Sequence, residues 1–158
     1  MENKKEIYHG SANIIEQPVW GAGNPKNDYG LGFYCTPDAE LAKEWATTEK
    51  ENGFSNQYLL DMTDLSVLNL NSGQYHILNW IALLLKYRIP EGLNPNDEQT
   101  REYIVNNFFV DLTDIDIIIG YRADDSYFSF ARDFVKNTIT VAQLSKAMEL
   151  GKLGLQVV

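Results

Sequence analysis

The sequence predicts a single α+β domain, in which helices and strands follow one another in mixed order. The chain has 158 residues, of which 44% are hydrophobic and 22% are charged. These values are ordinary for a globular domain that buries one core. Short β-branched runs and amphipathic runs of helical period occur without the regular strand–helix alternation of a parallel α/β fold. No repeat, low-complexity run or linker divides the sequence, so we expect one domain over residues 1–158.

Short runs rich in isoleucine, valine and aromatic residues predict the strands. They are expected at residues 6–9, 32–35, 57–62, 66–70, 114–120 and 153–158. The run DIDIIIG at 114–120 is largely apolar, which is typical of a central strand. Residues 11–16 are expected to form a turn or short helix, and residues 20–28, rich in glycine, asparagine and proline, are expected to form a loop.

Apolar residues at helical spacing predict five helices. The first is expected from residue 37 to a frayed end at 52–53, the second at 74–87 and the third at 97–109. The fourth is expected to follow a cap at 124–126 and to run through residue 136, and the fifth is expected at 140–150. For the first helix, Thr36 is the expected N-cap and Pro37 the first helical residue. Trp45 is expected on the inner face of that helix.

The charge and the cysteine content argue against some classes of partner, covalent cross-link and metal site. The net charge of −9 and the pI of about 4.6 argue against non-specific binding to nucleic acid or to anionic membranes. Cys35 is the one cysteine, so the chain has no intrachain disulfide, which fits a reducing compartment. Two histidines and one cysteine argue against a His/Cys metal site, and we expect no metal.

The sequence has no obvious targeting or membrane segment. Residues 1–6 are charged and lack the apolar core of a signal peptide. The most apolar run, residues 77–85, is too short to span a bilayer. A soluble, cytoplasmic protein with no membrane partner is therefore expected, and an effector exported by another route would have the same features.

Two stretches carry residues suited to a ligand pocket. His9 stands before a glycine at the end of the first predicted strand, and glycine lets a ligand approach the backbone. The imidazole can donate or accept a hydrogen bond, and Tyr34 and Trp45 can sandwich a flat ring. Taken singly, each of the three residues has a structural role as its alternative. The glycines match neither the Rossmann nor the P-loop pattern.

In combination, these stretches resemble a known family. The motif YHGS at 8–11, the motif YGLGFYCT at 29–36 and the following helix with Trp45 are similar to the first two motifs of ADP-ribosyltransferases of the diphtheria-toxin and poly(ADP-ribose) polymerase type. These enzymes carry a His-Tyr-Glu signature. Residues 116–120 and 123–125, DIIIG and ADD, resemble a bacterial group of uncharacterised ADP-ribosyltransferase-like domains. The resemblance implies two small packed sheets, surrounding helices and a central NAD cleft.

The resemblance also implies roles for individual residues. His9 would bind the 2′-hydroxyl of the nicotinamide ribose. The backbone of Gly10 would hold the nicotinamide carboxamide, with Ser11 nearby. Tyr34 would stack on the nicotinamide ring, and Trp45 is the candidate for a second wall.

Gln156 occupies the position at which the family usually has its glutamate. Breaking the nicotinamide–ribose bond passes through an oxocarbenium-like state. A carboxylate can stabilise this positive charge, whereas an amide can only orient hydroxyls by hydrogen bonds. The loss of such a group costs about 10²–10⁴-fold in rate.

Other residues are candidates for supporting roles. Asp124 and Asp125 could supply the missing carboxylate, and capping of the next helix is the competing interpretation. Ala42 is a second departure, because related polymerases place a serine near there to hold the carboxamide. Arg122 and Lys26 could meet the NAD diphosphate, with solvated surface charge as the alternative.

The expected function is mono-ADP-ribosyl transfer from NAD, as substrate, to an unidentified protein or other macromolecule. A module that binds NAD or ADP-ribose without turnover is an alternative, which Gln156 favours. An interaction protein is a third, as half of a toxin–antitoxin or effector–immunity pair whose acidic surface meets a basic antitoxin or immunity partner.

Overall fold

The computed structural model of the protein describes residues 3–20, 27–47, 52–121, 125–137, 140–143 and 155–158. These residues form an α+β structure with two small sheets and several helices, which confirms the predicted class. In chain order the elements are β1 (Lys4–Ser11), α1 (Ala39–Ala46), β2 (Phe54–Asp61), β3 (Val67–Asn69), α2 (Ile77–Tyr87), α3 (Pro95–Phe108), β4 (Ile117–Tyr121), α4 (Asp125–Val135) and β5 (Leu155–Val157). Among the described residues, no helix combines the length and apolarity that crossing a bilayer requires.

The two sheets differ in their strand directions. In the first, β1 and β2 are antiparallel, with His9 opposite Asn56. In the second, β4 lies between β3, to which it is parallel, and β5, to which it is antiparallel. The isoleucine-rich run thus forms a central strand, as its continuous apolar sequence predicts.

Residues 35–36 join the two sheets. The main-chain N and O atoms of Thr36 exchange hydrogen bonds of 2.9 and 2.8 Å with Tyr8 in β1. Those of Cys35 exchange bonds of 2.9 and 2.8 Å with Val157 in β5. In an extended chain, successive residues direct their backbone groups to opposite edges. The strand predicted at 32–35 is therefore reduced to two bridging residues, which link β2, β1, β5, β4 and β3 in one hydrogen-bonded array.

Side-chain alternation along the strands divides the apolar residues between two faces. On one face, Ile118 of β4 packs in the main core with α2, whose residues from Trp80 to Leu85 are all buried. On the other face, Ile117 and Ile119 pack in a second cluster with Ile7, Cys35 and Val157. This second face carries the cavities described below.

The first helix begins later than the sequence predicts. Asp38, rather than Thr36, is the N-cap of α1, and its Oδ1 accepts hydrogen bonds from the main-chain N–H of Glu40 at 2.9 Å and of Leu41 at 3.3 Å. The backbone of Thr36 is used in the bridge to β1, so Thr36 cannot also start the helix. The helix ends at Ala46, before the predicted 52–53.

Other boundaries also differ from the prediction. Ser11 is the last residue of β1, and residues 12–16 are irregular, with bends at 12–13 and 16 and no helix. His76 caps α2 by accepting a hydrogen bond from the N–H of Leu78 at 3.1 Å, so this helix begins at Ile77. Asn94 forms a reciprocal capping box with Asp97, so α3 begins earlier than predicted, at Pro95.

Candidate functional site

His9 is held by a main-chain carbonyl and an aromatic ring. Its Nδ1 lies 2.6 Å from the carbonyl oxygen of Tyr34. A carbonyl can only accept, so Nδ1 carries the hydrogen and Nε2 is left for other partners. The Phe33 ring stacks on the imidazole, with 4.2 Å between the ring centroids and 24° between the planes.

The imidazole lines a cavity of about 370 Å³, within the range of about 300–1,000 Å³ that is usual for small-molecule sites. The wall combines polar and apolar groups from the β1 strand, the 15–19 segment and the 27–34 loop. Its residues are His9, Ile15, Gln17, Val19, Asn27, Gly32, Phe33 and Tyr34. Of the predicted site residues, His9 and Tyr34 therefore meet in one cavity.

Gly10 faces away from this cavity, toward α1. A Cβ atom at Gly10 would lie 2.1 Å from the carbonyl oxygen of Ala42 and 3.1 Å from the Cβ of Trp45. Neighbouring residues of a strand point to opposite faces. The helix with Trp45 therefore packs on the face of β1 opposite His9, and the structure does not bring Trp45 to His9 as the predicted second wall. The position needs glycine because the helix backbone lies against it.

The backbone of Gly10 has an open edge. The N–H and C=O of Tyr8 pair with Thr36 on one edge of β1. The N–H and C=O of Gly10, two residues further on, point to the same edge of the strand. The Tyr8–Thr36 pairing places Tyr34 opposite Gly10, but the carbonyl of Tyr34 is bonded to the His9 side chain instead. Within the part of the chain that the structure describes, the N–H and C=O of Gly10 therefore meet no backbone partner on this edge.

Ser11 has a local structural role. Its hydroxyl donates to the carbonyl oxygen of Asn13 at 2.5 Å and accepts from the side-chain amide of Asn56 at 2.8 Å. The buried Asn56 also donates to the His9 carbonyl at 2.8 Å and accepts from the N–H of Ile15 at 2.9 Å. Asn56 thus folds the 11–15 segment over the His9 face. The sequence prediction missed Asn56, which stands one residue before the predicted strand 57–62.

The hydroxyl of Tyr34 forms hydrogen bonds with main-chain groups at the start of the same loop. This group donates to the Gly30 carbonyl at 2.6 Å and accepts from the Tyr29 N–H at 2.9 Å. Burial raises the pKa of Tyr34 well above its usual value. The ring that stacks on His9 belongs to Phe33, which the prediction passed over. The alternation of side chains along an extended segment is the signal that separates Phe33 from Tyr34.

Gln156 is described by its backbone alone. It pairs with Gly120 in β5, and its neighbour Val157 pairs with Cys35. The backbone of Gln156 therefore lies beside that of Thr36. Because Thr36 in turn pairs with Tyr8, the backbones of Gln156 and Tyr8 are two strand spacings, about 10 Å, apart. The side chain of Gln156 lies outside the described part of the structure.

The remaining predicted residues are also beyond what the structure describes. Lys26, Arg122 and Asp124 lie outside the described residues. Asp125 is the first residue of α4, and its side chain lies outside the described part.

A second cavity, of about 800 Å³, adjoins the first. Both cavities are bordered by Gly32 and Phe33. The wall of the larger one is mainly apolar and includes Ile7, Cys35 and Ile117 from the second cluster. Burial raises the pKa of the Cys35 thiol to about 12, so this thiol stays protonated at neutral pH.

Comparison with known proteins identifies a family. No curated protein and no solved structure matches the chain significantly. Residues 5–158, nearly the whole sequence, match the family described as protein of unknown function DUF3990. The chain therefore belongs to the DUF3990 family.

Proposed function

We propose that this protein transfers ADP-ribose from NAD to a macromolecular acceptor. The observation that carries the proposal is the imidazole of His9, fixed through Nδ1 to the Tyr34 carbonyl at the wall of a 370 Å³ cavity. The open backbone edge of Gly10 follows it in the chain. The motif resemblance over residues 8–11 and 29–36 supports the same function.

Each of the groups that line this site can interact with a particular part of NAD. The unprotonated Nε2 of neutral His9 can accept a hydrogen bond from a ribose hydroxyl. The N–H and C=O of Gly10 complement the oxygen and the NH₂ of a carboxamide. Phe33 and Tyr34 offer aromatic surfaces to the nicotinamide ring, and a positively charged ring gains from them.

The reaction breaks the bond between the ribose C1′ and the nicotinamide nitrogen, whose electron pair leaves with neutral nicotinamide. The acceptor nucleophile forms the new bond to C1′, and its proton passes to solvent or to a carboxylate such as Asp124 or Asp125. Gln156 would orient hydroxyls near the breaking bond. Positioning and preorganised hydrogen bonds then supply most of the rate enhancement.

Nicotinamide release from NAD tests the proposal. We expect release by the unmodified protein and a fall of about 10²-fold or more in His9→Ala, the range for loss of a group that acts directly on the reacting substrate. His76→Asn is the matched control, since asparagine keeps the capping acceptor at the other histidine. Unmodified protein that releases no nicotinamide, and whose melting temperature does not rise with NAD, would contradict the proposal.

An NAD-binding module without turnover is the second candidate, because Gln156 replaces the carboxylate of related enzymes. Titration calorimetry with NAD, combined with a long incubation, separates the two. Binding that depends on His9 without nicotinamide release selects the module.

A further inference from the structure

The loop that carries Phe33 and Tyr34 is anchored by a buried ion pair. Nη1 of Arg88, the C-cap residue of α2, lies 2.8 Å from Oδ1 of Asp28, and Asp28 is only 5% exposed. The guanidinium carbon also lies 4.2 Å from the centroid of the Phe128 ring. A planar cation held between a carboxylate and an aromatic face has little freedom to rotate, so the pair fixes the position of Asp28.

The loop beyond Asp28 closes on itself. The N–H of Gly30 donates to the carbonyl of Asn27 at 3.0 Å. The hydroxyl of Tyr34 then bonds the main chain at both Tyr29 and Gly30. These hydrogen bonds tie both ends of the 27–34 loop to the residues next to Asp28.

The same loop packs against α2 and the end of β4. Gly30 has φ = +80°, and a Cβ there would lie 2.7 Å from the Tyr87 ring. The hydroxyl of Tyr29 donates to the Tyr121 carbonyl at 2.5 Å and accepts from Nε1 of Trp80 at 3.0 Å. The ion pair is the charged part of this attachment, and it lies at the end of α2.

The far end of the loop reaches His9. The Tyr34 carbonyl that accepts the Nδ1 hydrogen belongs to the residue whose hydroxyl closes the loop. The same peptide unit includes the N–H of Cys35, which donates to the Val157 carbonyl at 2.9 Å, so β5 holds this unit on one side and the 27–34 loop on the other. Displacing the loop would therefore shift or tilt the Tyr34 carbonyl. Without it, either ring nitrogen of neutral His9 can carry the hydrogen.

We propose that Asp28 and Arg88 are positioning residues, which hold the 27–34 loop so that the Tyr34 carbonyl fixes the hydrogen of His9 on Nδ1. The consequence for NAD turnover rests on the proposed function. Which nitrogen of the His9 imidazole carries the hydrogen can be measured whether or not the protein turns over NAD.

Nitrogen-15 NMR of the His9 side chain in the full chain tests the proposal. The unmodified protein should show the hydrogen on Nδ1, exchanging slowly with solvent. In Arg88→Met, that exchange should accelerate at least about tenfold, because the loop opens locally when its charged anchor is lost. Arg88→Lys keeps the charge without the planar stack and should give an intermediate rate.

Two further variants keep the test decisive. Asp28→Asn/Arg88→Met removes both charges, so it avoids leaving a buried carboxylate without its guanidinium, and it should show the same faster exchange. Lys136→Met is the matched control, because it breaks the 3.0 Å ion pair with Asp97 at α3 and leaves the loop untouched. Slow exchange in the folded Arg88 variants, or equal acceleration in Lys136→Met, would overturn the proposal.

Turnover provides an independent outcome. If the protein releases nicotinamide, the Arg88 variants should lower kcat/KM by about tenfold, in step with the faster exchange. If the unmodified protein releases none while the His9 signal responds as expected, the proposed function fails and the positioning role stands. A His9 signal that does not respond, in a protein that does release nicotinamide, rejects the positioning role alone.

Discussion

At the scale of single residues, the carbonyl of Tyr34 determines what His9 offers a ligand. Because the carbonyl can only accept, the neutral imidazole presents Nε2 as an acceptor. A hydroxyl satisfies this nitrogen, whereas a ligand carbonyl or carboxylate requires the imidazole to be protonated first. Under the proposed function, this geometry suits a ligand that places a hydroxyl donor at Nε2, as a ribose does.

Gly10→Ala is expected to destabilise the protein. The new Cβ would be 2.1 Å from the Ala42 carbonyl and 2.9 Å from the Ala46 nitrogen, which are helix backbone atoms and cannot rotate away. Moving α1 off β1 should lower the free energy of unfolding by about 2–3 kcal/mol, at the upper end for overpacking. Urea denaturation followed by circular dichroism measures this change.

Gly73→Ala is the control for that substitution. Gly73 has φ = +87°, and a Cβ there would meet nothing within 4 Å. Its cost is the backbone strain alone, about 1 kcal/mol. Equal losses in the two variants would show that α1 does not pack against Gly10.

At the scale of elements, α1 depends on a cap that the sequence prediction placed two residues too early. Asp38→Ala removes the acceptor for the N–H groups of Glu40 and Leu41. The free energy of unfolding should fall by about 1 kcal/mol, the usual value of an N-cap. Asp38→Asn keeps an acceptor and should cost much less. If Asp38→Ala has no effect in urea denaturation, Asp38 is not the cap.

The long helices and the central strand could be predicted from the sequence because their signals are local. The apolar spacing along α2 indicates a helix and the isoleucines of β4 indicate a strand, without any knowledge of which residues these elements contact. The segment at 32–36 is different. Cys35 and Thr36 are extended because two distant strands, β5 and β1, supply their hydrogen-bond partners. No local pattern in the sequence reports those partners, so the sequence predicts an ordinary strand there and a cap at Thr36.

In the candidate site, too, some residues can be predicted from local sequence and others depend on distant contacts. His9 and its glycine could be selected from residue type and position. That Phe33 stacks on His9 depends on which side of the chain faces β1, and a one-residue shift would reverse it. The stacking of Tyr34 on a nicotinamide ring stays a prediction. The residue type of Trp45 and the motif resemblance make it the predicted second wall, but its helix packs on the face of β1 opposite His9, which residue type alone does not report.

At the scale of the whole molecule, buried and half-buried thiol and phenol groups make the stability of the protein sensitive to high pH. Burial raises the pKa of Tyr29, Tyr34, Tyr58 and Tyr87, and that of Cys35 to about 12. The unfolded chain therefore releases these protons first. Their contribution is complete below the unfolded pKa, about 9 for the thiol and 10 for a phenol, and is lost as the pH rises from there toward the folded values.

Between pH 7 and about 8.5 we expect the free energy of unfolding to be level. It should then fall, by up to about 1.4 kcal/mol per pH unit for each buried group that ionises only on unfolding, and by less for the more exposed Tyr58 and Tyr87. Urea denaturation at half-unit steps from pH 7 to 11 measures the curve. Cys35→Ala removes the group with the lowest unfolded pKa, so the decline should start about one pH unit later, where the phenols begin to ionise. An onset that does not move in Cys35→Ala would show that the thiol ionises as readily in the folded chain as in the unfolded one, and a curve that stays level to pH 11 would show the same of the tyrosines.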